Sequence, residues 1–246
     1  MSRLDSFYLP PAAWADPYCL HGDEAHHLTR VLRIKPGAQI RCFDGQGRAG
    51  IFTVLSLIPL VSLRLDLEIM PSPLTGETWL ALGWNKSARR GWLLEKAVEL
   101  GAAGILFWEA ERGQGSMPDA PKESWLAQLI AGAKQCGNPH LPELAMIPGK
   151  AAGLIAYCRA FDQRILLWES PSLKRHLSPD DLASPGKRVF VLGPEGGLTD
   201  AETALFTSAG FTAATLGPQA LRWETAALLS LGLSWWAQTS EGLRAR

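Results

Sequence analysis

The chain has 246 residues, 47% of them hydrophobic and 20% charged, enough to bury roughly 70–75% of its unfolded surface without a stabilising disulfide or metal. Its 24 basic and 24 acidic residues cancel, which argues against a protein that coats nucleic acid by bulk charge, so any RNA contact must come from a local patch. Four scattered cysteines, no C-x-x-C pair and no run of about 18 uncharged apolar residues argue against a zinc site and a membrane span.

The opening Met1-Ser2-Arg3-Leu4-Asp5 lacks the basic-then-apolar pattern of a secretory signal, and we expect a cytoplasmic protein with reduced thiols and no metal. A short helix is predicted around 23–32. Strands follow over 38–43, 48–57 and 61–70, with turns at Asp44-Gly45-Gln46-Gly47 and at Pro59. Asp44-Gly45 supplies hairpin-turn chemistry because glycine accepts positive φ without a Cβ clash. Residues 1–70 thus read as a small β-rich domain.

Pro71-Ser72-Pro73-Leu74-Thr75-Gly76 continues neither a helix nor a central strand, and 71–76 is the expected linker. From 77 to 246 short apolar runs alternate with helices: strand 79–83, helix 88–100, strand 104–108, helix 122–136, strand 164–168 and strand 189–192. Ile165-Leu166-Leu167-Trp168 and Val189-Phe190-Val191-Leu192 show no polar alternation, as in strands buried on both faces of a parallel sheet. This part is α/β.

Thr199-Asp200-Ala201-Glu202 fits a capping box, Gly210 ends that helix, and Gly101 closes the helix before it in the same way. A strand over 211–216 leads to a last helix over about 224–238, apolar nearly all round and therefore buried in the core or against another subunit.

Two loops stand out chemically. Leu192-Gly193-Pro194-Glu195-Gly196-Gly197 joins a buried strand to a capped helix, at the carboxyl edge where open α/β sheets bind ligands. The glycines alone fit a ligand-free turn equally well, but Glu195 is not needed to make that turn. Leu216-Gly217-Pro218 and Leu221-Arg222-Trp223-Glu224-Thr225-Ala226 form the second loop, with Arg222 and Glu224 set beside strongly apolar sequence. A structural Arg222–Glu224 ion pair at the helix start is an equally good reading of those two charges. Gly45-Gln46-Gly47-Arg48-Ala49-Gly50 matches G-x-G-x-x-G but opens no helix, and neither a phosphate-binding P-loop nor a G-x-S-x-G elbow is present.

Through His27-Leu28 with Val31-Leu32-Arg33, Asp44-Gly45-Gln46-Gly47, Lys96-Ala97-Val98-Glu99-Leu100-Gly101, Gln135-Cys136-Gly137, Gly193-Pro194-Glu195-Gly196-Gly197 and Leu221-Arg222 with Glu224-Thr225-Ala226, the chain resembles the RsmE-type 16S rRNA uridine N3-methyltransferases of the SPOUT superfamily. The resemblance implies a PUA-like β-barrel domain followed by an α/β SPOUT domain with a deep trefoil knot. It also implies S-adenosylmethionine as methyl donor, 16S rRNA within the small ribosomal subunit as partner, and a homodimer that would cover the last helix with Trp235 and Trp236.

Lys134 and Asn138 stand where the family pattern has an acidic residue and an arginine, and Trp223 replaces a small polar residue. By the same resemblance Trp168, Leu192, Gly193, Pro194, Glu195, Gly196, Gly197, Leu216, Gly217, Leu221, Arg222, Thr225 and Ala226 hold the donor. Arg222 is expected to stabilise negative charge on the uracil oxygens, and Glu224 to orient it or accept the proton. N3 lies on the Watson–Crick edge, so the target must be unpaired or flipped out. Arg30, Arg33, Lys86, Arg89, Arg90, Lys96 and Arg112 are the expected phosphate contacts; taken singly each reads more readily as an ordinary solvated charge, and the cluster carries the expectation. His26 and His27 receive no catalytic role. A non-catalytic RNA-binding protein, or a SPOUT enzyme acting on a ribose 2′-O or on tRNA, are the competing readings.

Overall fold

The computed structural model describes residues 4–70, 76–170, 173–183 and 185–244, the last with side chains to residue 239. It divides into two compact units, one of residues 1–73 with 129–141 and one of residues 74–128 with 142–246. The expected linker lies outside the described residues except for Gly76.

In the first unit, strands β1 (Ser6–Tyr8), β2 (Tyr18–Leu20), β3 (Gln39–Phe43), β4 (Ala49–Ser56) and β5 (Val61–Ile69) form one sheet in the order β1-β3-β4-β5-β2. Only the β1–β3 pairing is parallel. The predicted helix is α1 (Gly22–His26), continued by a wider π-helical turn over His27–Val31. Strand alternation sends Phe7, Ile40, Cys42, Phe52, Val54 and Leu63 inward, each at most 3% exposed. Each such large side chain contributes on the order of 1.5–3 kcal/mol by leaving water.

The hairpin turn is held by Asp44, 1% exposed, whose Oδ1 accepts from the backbone N–H groups of Gln46 (2.8 Å) and Arg48 (3.0 Å). Residues 129–141 close on this turn: Leu141 N donates to Gly45 O at 2.8 Å, Arg41 Nη2 to Gly137 O at 2.9 Å, and Lys134 pairs with Glu24 at 3.0 Å. A split at 71–76 alone does not place this segment, because the bonds that tie it, Arg41 to Gly137 and Lys134 to Glu24, join residues 96 and 110 apart in sequence. Lys134, a departure from the family pattern, has its acidic partner in Glu24.

The second unit is built on six parallel strands: β6 (Gly76–Gly83), β7 (Gly104–Trp108), β8 (Glu143–Ile147), β9 (Gln163–Leu167), β10 (Gly186–Leu192) and β11 (Thr212–Ala214), in the order β11-β9-β10-β6-β7-β8. Helices α2 (Arg90–Glu99), α3 (Glu123–Cys136), α4 (Lys150–Tyr157), α5 (Asp180–Ala183), α6 (Asp200–Ser208) and α7 (Trp223–Arg244) connect or follow them. All five residues of β7 and the run 189–192 of β10 are buried, as unbroken apolar runs require, and Arg188 just before that run is buried with it.

The capping box is present: Glu202 N donates to Thr199 Oγ1 at 3.2 Å and Thr199 N to Glu202 Oε2 at 2.9 Å. Helix α7 buries Ala227, Ser230, Leu231 and Ser234, while Leu229, Trp235 and Trp236 are exposed on another side. Burial pushes the thiol of Cys158 up to about 12 and that of Cys42 higher still, so both are inert core groups. Among the described residues no His, Cys, Asp or Glu cluster is placed to hold a metal, and no helix is long and apolar enough to cross a membrane.

Candidate active site

The chain goes outward from β6 through β7 to β8 and then returns to the other side of β6 with β10 and β9. This reversal makes a switch point of the kind where parallel sheets bind ligands. The loops leaving β9, β10 and β11 meet there around a cavity of about 330 Å³, within the size range of small-molecule sites. Trp168, Leu192, Gly193, Pro194, Glu195, Gly196, Gly197, Leu216, Gly217, Leu221 and Ala226 all line it. Two of the thirteen expected donor residues do not: Arg222 lies on a neighbouring cavity and Thr225 is on the exposed side of α7. Consecutive helical residues such as Thr225 and Ala226 point about 100° apart, so a contiguous motif cannot send all its side chains one way.

Backbone approach shapes this cavity. A Cβ on Gly83, at the end of β6, would lie 2.5 Å from Pro194 N, so the loop after β10 can rest on β6 only because Gly83 has no side chain. Gly217 has φ +148°, a value L side chains rarely adopt, and a Cβ there would meet nothing closer than 4.0 Å. Thr215 Oγ1 donates to Gly217 O at 2.9 Å, and Leu221 N donates to Glu169 Oε1 at 2.8 Å, tying the β11 loop to the β9 loop.

Arg112, expected as a phosphate contact, lies instead on the wall of this cavity, its Nη1 donating to Gly196 O at 3.3 Å. Its loop is fixed by buried Glu202, whose Oε1 accepts from Glu111 N at 2.8 Å. The spacing of Glu111 and Glu202 in sequence carries no signal of that bond.

A second cavity, of about 510 Å³, adjoins the first and is lined by Lys86, Ser87, Ala88, Arg89, Glu195, Ala220, Leu221, Arg222, Trp223 and Glu224. Glu195, Leu221 and Trp223 belong to both. Trp223, the departure in the second loop, is 5% exposed and forms part of the wall between them.

Glu224 is 4% exposed and pairs with Arg89, Nη1 to Oε1 at 2.5 Å, which corrects the reading of an Arg222–Glu224 pair. Burial by itself would raise the Glu224 carboxyl. Its own backbone N–H, the Arg89 guanidinium and the nearby Arg222 charge outweigh burial and hold it below the usual value. A carboxylate held ionised in this way orients cations well and accepts protons poorly.

The basic set separates by environment. Lys86, Arg89 and Arg222 face the second cavity. Arg90 is turned inward over the Trp84 ring at 4.0 Å and donates to Asn85 O, with burial lowering its pKa, so it is not a phosphate contact. Lys96 is engaged by Glu99 at 2.7 Å, one helical turn away. Arg30 and Arg33 are exposed in the first unit.

The RNA methyltransferase domain family matches residues 71–235, and the RNA methyltransferase PUA domain family matches residues 20–59. The ribosomal RNA small subunit methyltransferase E of Mycobacterium bovis is 30% identical over 86% of this chain and 83% of its own. The crystal structure of the ribosomal RNA small subunit methyltransferase E from Neisseria gonorrhoeae, bound to S-adenosyl methionine, is 28% identical with a TM-score of 0.77 over 93% of this chain and 95% of that one. A methyltransferase of Legionella pneumophila in complex with the bound cofactor SAM is 26% identical, with a TM-score of 0.84 over 96% of this chain and 98% of its own.

Proposed function

We propose, from the premise that this chain belongs to the RNA methyltransferase family, that it transfers a methyl group from S-adenosylmethionine to N3 of a uridine in 16S ribosomal RNA. The observation that carries this reading is the pair of adjoining cavities with a shared wall, one with four glycines in its lining, Gly193, Gly196, Gly197 and Gly217, the other with three cations, Lys86, Arg89 and Arg222.

The first cavity fits the donor. Its two glycine loops offer close backbone approach, Gly217 leaves open space where a side chain would intrude, and Glu169 and Arg112 give charges of both signs to a ligand that also carries both. When bound, S-adenosylmethionine supplies an electrophilic methyl on a positive sulfur. The loops leaving β9, β10 and β11 orient it toward the shared wall, and much of the rate comes from holding the two reactants in line.

The second cavity takes the flipped uracil. Arg222 stabilises the charge that grows on the uracil oxygens as N3 loses its proton. Glu224 acts through Arg89, holding that guanidinium at the rim for the oxyanion or the adjoining phosphate. Lys86 adds a phosphate contact, and Arg30 and Arg33 of the PUA-like unit hold RNA beyond the target. In this reading residues 1–70 bind RNA, 71–76 link, and 77–246 carry the chemistry.

The finer architecture belongs to the same proposal. The loops after β9, β10 and β11 are taken to pass through one another as a deep trefoil knot. A homodimer covers Trp235 and Trp236, whose exposed indoles favour a partner surface. The substrate in this reading is 16S rRNA within the small ribosomal subunit, and the protein works in the cytoplasm.

Substitution Arg222→Ala tests the assignment. Single-turnover methyl transfer to small subunits lacking the modification should fall at least a hundredfold, with calorimetric donor affinity within about threefold of the unsubstituted protein. Equal losses in both would sink the separation of donor and acceptor cavities.

A further inference from the structure

The methylation of N3 requires a group that takes the imide proton, and among the described residues three carboxylates line either cavity: Glu169, Glu195 and Glu224. Glu169 lies on the donor side alone and accepts from Leu221 N. Glu224 is buried against Arg89 and held ionised, below the usual carboxylate range. Glu195 is different on each count. It lines both cavities, its side chain is exposed, and no hydrogen bond or ion pair engages it among the described residues.

Its backbone is also fixed where a base is needed. Gly197 N donates to Pro194 O at 2.8 Å, and the turn rests on Gly83 and beneath Arg112, so the Glu195 side chain projects from a braced turn rather than a free loop. Precise placement at the seam between two reactants is what general-base catalysis requires.

We propose that Glu195 is the catalytic base of this reaction, an inference that rests on the reading of the two cavities as donor and uracil sites. The N3 proton passes to the Glu195 carboxylate, the freed N3 electron pair forms the bond to the methyl carbon, and the carbon–sulfur bonding pair returns to sulfur, leaving a neutral thioether. No oxidant, metal or second reactant is consumed. Arg222 balances the transient negative charge on the uracil oxygens, and Glu224 remains ionised throughout.

The test is Glu195→Gln, which keeps shape and hydrogen-bonding capacity but cannot serve as a carboxylate base. Donor affinity by calorimetry should stay within about threefold, confirming a folded donor site, while single-turnover transfer falls about 10²–10³-fold. The variant's rate should rise with pH in step with imide ionisation, and more steeply than that of the unsubstituted protein.

RNA carrying 5-fluorouridine, whose imide proton is more acidic, should recover at least tenfold of the variant's loss while changing the unsubstituted rate little. Donor affinity falling in step with rate, an unchanged pH profile, or no selective gain with 5-fluorouridine would each overturn the proposal. Failure of the unsubstituted protein to bind the donor at all would overturn the cavity reading beneath it, and is seen before any variant is made.

Discussion

Replacing Arg89 with alanine leaves the Glu224 carboxylate, 5% exposed in its side chain, without its 2.5 Å partner. Removing one member of a fully buried pair costs about 3–5 kcal/mol, and of a surface pair about 0–1 kcal/mol. Arg89 itself is 56% exposed and Arg222 still contributes favourable charge, so the expected loss is about 1.5 kcal/mol, or about 3–6 °C in Tm for a chain of this size. The pH dependence follows from the sign of the shift. With Arg89 present the folded carboxyl titrates below its ordinary 4.5, so the stabilisation is present above pH 4.5 and lost as pH falls through the lower folded value.

Without Arg89 its hydrogen bond and its charge no longer hold the carboxyl down, so the folded value moves upward and protonation costs the variant less as pH falls. The Tm gap between the two proteins should be largest near pH 7 and close toward pH 4, and on a Glu224→Gln background Arg89→Ala should cost less than half as much. Thermal unfolding followed by circular dichroism measures all four proteins. An equal gap at pH 7 and pH 4, or full additivity with Glu224→Gln, would refute the ion-pair account.

Gly83→Ala would place a Cβ 2.5 Å from Pro194 N and push the β10 loop off its seat, so calorimetric donor affinity should fall at least tenfold while the far-ultraviolet spectrum is retained. Glu202→Ala removes both the capping box and the acceptor for Glu111 N, and should cost about 2 kcal/mol in denaturant unfolding and weaken donor binding through the Arg112 loop.

Elements with strong local signals were legible in the chain. The unbroken apolar runs located β7, β9 and β10, Thr199 and Glu202 located the start of α6, and the two glycine loops converge on one cavity as a parallel sheet requires. The three-residue strands β1 and β2 were missed because so few residues carry no periodicity, and α4 because its Ala- and Gly-rich sequence offers only a short apolar face. The partners that decide the site's electrostatics, Arg89 with Glu224 and Glu111 with Glu202, are joined only by tertiary packing, 135 and 91 residues apart. Arg90 resembled a surface charge in sequence, and only the indole beneath it reveals its interior role.

The central claim is donor, acceptor atom and substrate together, and one measurement addresses all three. The purified protein is incubated with methyl-labelled S-adenosylmethionine and small ribosomal subunits that lack the modification, and the digested RNA is resolved by mass spectrometry. Label in 3-methyluridine of 16S rRNA is the expected result. Label in a ribose-methylated or any other nucleoside, or none despite demonstrated donor binding, would contradict it.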